Sequence, residues 1–113
     1  MSGITTHVLD ISRGQPAAGV PVTLELEAAG GWQLVGQGIT NADGRVSDLW
    51  AAEAPFASGV YRLIFDTRTY FAGNNIQGFY PQVTVVFQIE NSSQHYHVPL
   101  LLSPFGYSTY RGS

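Results

Sequence analysis

The chain has 113 residues, the size of one domain with little room for a second, so a single core spanning residues 1–113 is expected. Hydrophobic residues make up 44% and charged residues only 12%, which supplies a core but so little surface charge that burial in an oligomer is expected. The formal charge of −3 comes with no basic cluster to follow a phosphate backbone, and the absence of cysteine removes disulfides, thiolate nucleophiles and Cys-ligated zinc.

From Ile4 to Asp10 the pattern alternates, with Ile4, Thr6 and Val8 on one face and Thr5, His7 and Leu9 on the other, which predicts a first strand. Arg13 to Gly19 carries turn chemistry, and Val20 to Glu27 alternates again as a second strand. Ala28-Ala29-Gly30-Gly31 breaks that run, Trp32 to Gln37 resumes it, and Asn41-Ala42-Asp43-Gly44 marks a tight connection with strands expected on both sides. Gly59 to Phe65 has the β-branched and aromatic bias of a half-buried strand. Thr67 to Ala72 predicts one short helix capped by Asp66 or Thr67, followed by a loop from Gly73 through Gly78. Pro81 to Ile89, Gln94 to Leu102 and Tyr107 to Arg111 complete a set of about eight strands, the spacing of a β-sandwich. No apolar stretch is long enough to span a membrane, and Met1 to His7 lacks the basic-then-apolar run of a secretory signal. Neither membrane nor nucleic acid is an expected partner. A cytoplasmic location is expected, or a periplasmic or organellar one where a leader has been removed.

The histidines are the candidate chemistry. His95 and His97 lie two apart on one strand and so share a face. If Tyr96, Val98, Leu100 and Leu102 face the core, His95, His97, Pro99 and Leu101 face outward, and the parity of the first strand also turns His7 outward. Three readings are open: ordinary surface or subunit-contact histidines, a three-histidine metal site, and acid/base catalysis by imidazoles that titrate near neutrality. Spacing does not separate the last two. Arg45, just past the turn, is either a solvated charge or a fork of donors for a carbonyl or developing oxyanion. By residue type, Tyr110-Arg111-Gly112-Ser113 is a polar tail.

Three segments carry a resemblance. His95-Tyr96-His97-Val98-Pro99-Leu100-Leu101-Leu102-Ser103-Pro104-Phe105-Gly106-Tyr107-Ser108-Thr109-Tyr110-Arg111-Gly112-Ser113 is similar to the closing signature of 5-hydroxyisourate hydrolases of the transthyretin-like family. Thr6-His7-Val8-Leu9-Asp10 with Gly14-Gln15-Pro16-Ala17 resembles the opening signature, and Thr40 to Arg45 resembles the segment bearing the family arginine. The resemblance implies an all-β, transthyretin-like sandwich of two four-stranded sheets with one short helix. It implies a homotetramer, a dimer of dimers with sites in the channel between them. The implied reaction is hydrolysis of 5-hydroxyisourate to 2-oxo-4-hydroxy-4-carboxy-5-ureidoimidazoline in urate degradation, with no metal and no cofactor.

Carried over by position, the resemblance implies catalytic roles for His7, Arg45, His97 and Ser113 and substrate contacts from His7, Arg45, Ser108, Tyr110, Arg111 and Gly112. It assigns no catalytic role to His95. The hormone carrier transthyretin shares the scaffold, with a lysine where His7 stands and small residues where His97 and Tyr110 stand. Those departures favour an enzyme over a carrier. The rivals are a non-enzymatic ligand-binding module, which would bind without turnover, a metal-dependent hydrolase, which would lose activity to chelators, and a structural sandwich subunit.

Overall fold

In the computed structural model, which describes residues 3–47, 49–50 and 56–113, eight strands form two four-stranded sheets with one short helix. The strands are β1 (Gly3–Asp10), β2 (Gln15–Pro16), β3 (Pro21–Ala28), β4 (Gly31–Ile39), β5 (Gly59–Phe65), β6 (Val83–Ile89), β7 (His95–Ser103) and β8 (Gly106–Thr109), with α1 (Thr67–Gly73) between β5 and β6. One sheet has the order β2-β1-β7-β8 and the other β4-β3-β5-β6.

Alternation decides which face of each strand is buried. Along β1, Ile4, Thr6, Val8 and Asp10 are buried, while Thr5, His7 and Leu9 are only partly so. Along β7, Tyr96, Val98, Leu100 and Leu102 point into the core. The opposing sheet answers with Val22, Leu24, Tyr61, Leu63, Phe65, Val83 and Ile89, so two apolar faces close on each other. Burial of each of these larger side chains contributes roughly 1.5–3 kcal/mol before the entropy of ordering is charged against it.

β1 and β7 run parallel, with Thr5 opposite His97 and His7 opposite Pro99. The other strand pairs are antiparallel. Gly30, at φ +84°, supplies the left-handed turn residue between β3 and β4.

Two elements differ from the sequence reading. Gln15–Pro16, expected within a turn, pairs with Leu9 and Asp10 as β2. Its pairing is set by the neighbouring strand, since two residues carry no periodic pattern of their own. The strand expected after Arg45 falls partly outside the described residues. Among those described, Arg45 makes one isolated antiparallel bridge to His7. The helix begins where expected: the Asp66 carboxylate accepts from the Thr69 backbone N–H and the Thr69 hydroxyl.

Asp10 is a carboxylate on the buried face of β1. Burial pushes its pKa up, but hydrogen bonds from the Ser12 hydroxyl, the Tyr70 hydroxyl and the backbone N–H groups of Arg13 and Ser12 outweigh it and hold the group below its ordinary value. Burial and the Asp10 carboxylate push Tyr70 up to about 12. The 2.6 Å bond from Tyr70 Oη to Asp10 Oδ2 ties α1 to the end of β1. Tyr70→Phe leaves that carboxylate oxygen short of a donor and is expected to cost about 1–3 kcal/mol in urea unfolding. An unchanged midpoint would show that the bond does not hold the helix.

Candidate active site

The outer face of the first sheet carries a cavity of about 340 Å³ lined by Thr5, Thr6, Arg45, Val46, His95, His97 and Ser113. Four separate stretches of chain build it: β1, the turn after β4, β7 and the C-terminal tail.

Arg45 is held by its turn. Asn41 Oδ1 accepts from the backbone N–H groups of Asp43 and Arg45, and the Asn41 N–H donates to the Arg45 carbonyl at 2.8 Å. Val8 N–H donates to the Gly44 carbonyl at 2.8 Å, which lays the turn along β1 beside His7. Gly44 sits at φ +77°, and a Cβ there would stand 2.3 Å from the Val8 carbonyl oxygen. Only glycine both adopts that conformation readily and permits that approach.

The tail is seated just as closely. Gly112 N–H donates to the His97 carbonyl at 2.8 Å. A Cβ on Gly112 would lie 2.6 Å from His97 Cδ2 and 3.2 Å from Pro99 Cγ, so the tail can cross this face only where a side chain is missing. Upstream, the Arg111 guanidinium lies 4.4 Å over the Tyr96 ring and donates to Gln94 Oε1 at 3.3 Å. These contacts fix the path that delivers Ser113 to the cavity.

Of the residues predicted from sequence, Arg45, His97 and Ser113 meet in this cavity. His7 borders it without lining it, its backbone bridged to Arg45 and its ring packed over Gly44. Gly112 packs against the His97 ring. Tyr110 and Arg111 line a different cavity of about 310 Å³ at the β6–β8 edge, with Val85, Phe87, Tyr96 and Val98. Ser108, opposite Leu101 on β8, is exposed and lines neither. Among the described residues, no group of three or more His, Cys, Asp or Glu side chains is arranged to hold a metal ion.

Thr5, which the sequence reading gave no role, and His95, to which the resemblance assigned no catalytic one, stand at the centre. Thr5 Oγ1 lies 2.9 Å from His95 Nε2 and 2.8 Å from His97 Nδ1. Strand parity already put Thr5 on the face of His7. What the sequence could not supply was that its neighbour is His97, because that depends on the parallel pairing of strands about 90 residues apart.

Burial and then the charges of Arg45, His7 and His95 hold the His97 imidazole below its ordinary value of 6.5, opposed by a backbone hydrogen bond at Thr5. At neutral pH this ring is an uncharged base beside a permanent cation. In unfolding, the sign follows: the unfolded chain takes up this proton more readily as pH falls through 6.5, so the group's effect is nil above that value and destabilising below it.

A transthyretin-type sandwich with imidazoles, a hydroxyl and a guanidinium on one outer sheet face is the class of protein these features define. Residues 4–112 match the HIUase/Transthyretin family, and the chain belongs to it. It is 48% identical over 119 residues to the 5-hydroxyisourate hydrolase of Halalkalibacterium halodurans, with 100% of both chains covered. The structure of Klebsiella pneumoniae 5-hydroxyisourate hydrolase superposes with a TM-score of 0.84 at 38% identity, covering 100% of both chains. Sea bream transthyretin in complex with thyroxine gives a TM-score of 0.89 at 35% identity, covering 96% of this chain and 93% of that one.

Arg45→Gln removes a positive charge from beside His97 and is expected to raise its pKa toward 6.5. An NMR titration of the imidazole C–H signals checks this. A value that stays put or falls contradicts the field assigned to Arg45.

Proposed function

We propose that the chain hydrolyses 5-hydroxyisourate to 2-oxo-4-hydroxy-4-carboxy-5-ureidoimidazoline, a step of urate degradation, with no metal or other cofactor. The observation that carries this reading is the meeting of His97, Arg45 and Ser113 in one outer-face cavity. Likeness to hydrolases over the whole chain supports it.

In this reading His97 is the general base. Its Nδ1 is engaged by Thr5, which leaves Nε2 for a water molecule. The water oxygen attacks the ring carbonyl carbon as Nε2 takes its proton, and the carbonyl oxygen becomes an oxyanion that the Arg45 fork stabilises. The ring C–N bond then breaks, and the leaving nitrogen takes a proton from an imidazole, either His97 returning the one it took or His7 from the cavity's edge. Ser113 hydrogen-bonds the substrate, and Gly112 lets the tail lie close enough for it to do so.

The working unit in this reading is a homotetramer, a dimer of dimers. Among the described residues, β6 and β8 each leave one edge unpaired, and Leu34, Ile39, Val86, Phe105 and Tyr107 are exposed apolar side chains, a surface that association would cover. Ser108, Tyr110 and Arg111 are also exposed in the single chain. Their substrate contacts belong to the assembly, where outer sheet faces meet across a channel.

The test is the ultraviolet decay of 5-hydroxyisourate freshly made from urate, with and without the protein and with a chelator. Accelerated decay that survives chelation is expected. Unchanged decay with a folded tetramer would make the chain a ligand-binding module, and loss of activity to the chelator would make it a metal-dependent hydrolase. His97→Asn is expected to cut kcat by about 10²–10⁴-fold with the tetramer retained in light scattering. A variant that falls apart without a separate rate defect opposes the assignment. Since His97 stays neutral below its ordinary 6.5, the acid limb of kcat/KM is expected below pH 6.5, and a limb above that value would point to another base.

A further inference from the structure

One hydroxyl stands between two imidazoles. Thr5 and His97 are register partners in the parallel pair, and His95 is two residues away on the same outward face. All three are therefore fixed by central strands and not by loops. Thr5 Oγ1 reaches His95 Nε2 at 2.9 Å and His97 Nδ1 at 2.8 Å.

A threonine hydroxyl has a single hydrogen, so it can donate to only one of these nitrogens, and when it does it accepts from the other. It also has two lone pairs, so the histidines take opposite roles whenever the hydroxyl hydrogen is given to one of them, and only then. In one arrangement His97 Nδ1–H donates to Thr5 and Thr5 donates to His95 Nε2, which leaves a lone pair on His97 Nε2. In the other, His95 Nε2–H donates to Thr5, Thr5 donates to His97 Nδ1, and the hydrogen of His97 sits on Nε2. Nε2 has no hydrogen-bond partner in the chain among the described residues, so it is the nitrogen left for the cavity.

We propose that Thr5 is a positioning residue: its hydroxyl, with His95 as acceptor, holds His97 in the tautomer whose Nε2 lone pair can take a proton from water. His95 acts on the site through Thr5. When His95 carries hydrogen on Nε2 and the hydroxyl turns to donate to His97 Nδ1, His97 changes from an acceptor toward the cavity into a donor. The catalytic consequence rests on the hydrolase reading given above, while the coupling of the two tautomers rests on the geometry of one hydroxyl and two rings.

Long-range ¹H–¹⁵N spectra of the imidazoles read the tautomer directly, and the decay assay reads its consequence. The wild-type chain is expected to show His97 with hydrogen on Nδ1 and a bare Nε2. Thr5→Val removes the hydroxyl, and His95→Ala leaves Thr5 with His97 as its only imidazole acceptor. Both are expected to move the His97 hydrogen toward Nε2. Thr5→Ser is expected to keep the wild-type pattern. In turnover, Thr5→Val is expected to lower kcat by about 10- to 100-fold, the range for partners that orient a ligating imidazole, with KM little changed and with rescue in Thr5→Ser. Wild-type nitrogen shifts and kcat in Thr5→Val overturn the proposal, and so does a wild-type His97 already carrying its hydrogen on Nε2. Should Thr5→Val fail to fold, His95→Ala decides the same question in the spectra. A wild-type chain that does not speed the decay defeats the hydrolase reading but leaves the spectra to decide the coupling.

Discussion

The parallel pairing of β1 with β7 is the constraint on which the site depends. It joins residues near the two ends of the chain, and its register puts Thr5 beside His97 and His7 beside Pro99. Because side chains alternate with period two, the same register sends Ile4, Thr6, Val8, Val98, Leu100 and Leu102 inward. A slip of one residue would bury the imidazoles and expose the core. The apolar energy of the sandwich therefore enforces the polar geometry on its outer face, though none of the outward groups contributes much to that energy.

The remaining parts of the cavity are fastened to this pair by backbone contacts that tolerate little side-chain volume. Gly44 brings Arg45 along β1, and Gly112 lays the tail across His97 and Pro99. Polar groups inside the sandwich are satisfied in the same economical way. Thr6 donates to the Val98 carbonyl, Thr40 links Ala17 and Val20, and Asp10 collects Tyr70 and Ser12. Among the described residues no buried side-chain polar atom lacks a partner. The electrostatic result is asymmetric: Asp10 is kept as an anion in the core by donors aimed at it, while His97 is kept neutral on the outer face by burial and nearby positive charge.

Much of the fold was legible because alternation is a local signal. The faces of β1 and β7, the strands at Gly59–Phe65 and Val83–Ile89, and the Asp66 cap could be read from short windows. β2 could not, since a strand of two residues exists only by virtue of its partner. Of the site, parity set His7, His95 and His97 on outward faces, and the family resemblance singled out Arg45 and Ser113. The bridging role of Thr5 was hidden because the sequence does not say which strands are neighbours. Tyr110 and Arg111 were expected beside the histidines, yet in the single chain they line the β6–β8 edge, where Arg111 stacks on Tyr96. Past the end of β8 the chain no longer follows strand parity, so the tail's path is set by tertiary contacts.

Arg45, His97 and Ser113 thus line one cavity and Tyr110 and Arg111 another, and ligand placement separates the two. Urate, a bicyclic stand-in for the substrate, can be titrated into the labelled protein while NMR shifts are followed along the chain. Perturbations centred on Thr5, Arg45, His95 and His97 are the result this account predicts. Saturable shifts confined to Val85, Phe87, Tyr96 and Tyr110, with the histidine face silent, would contradict it.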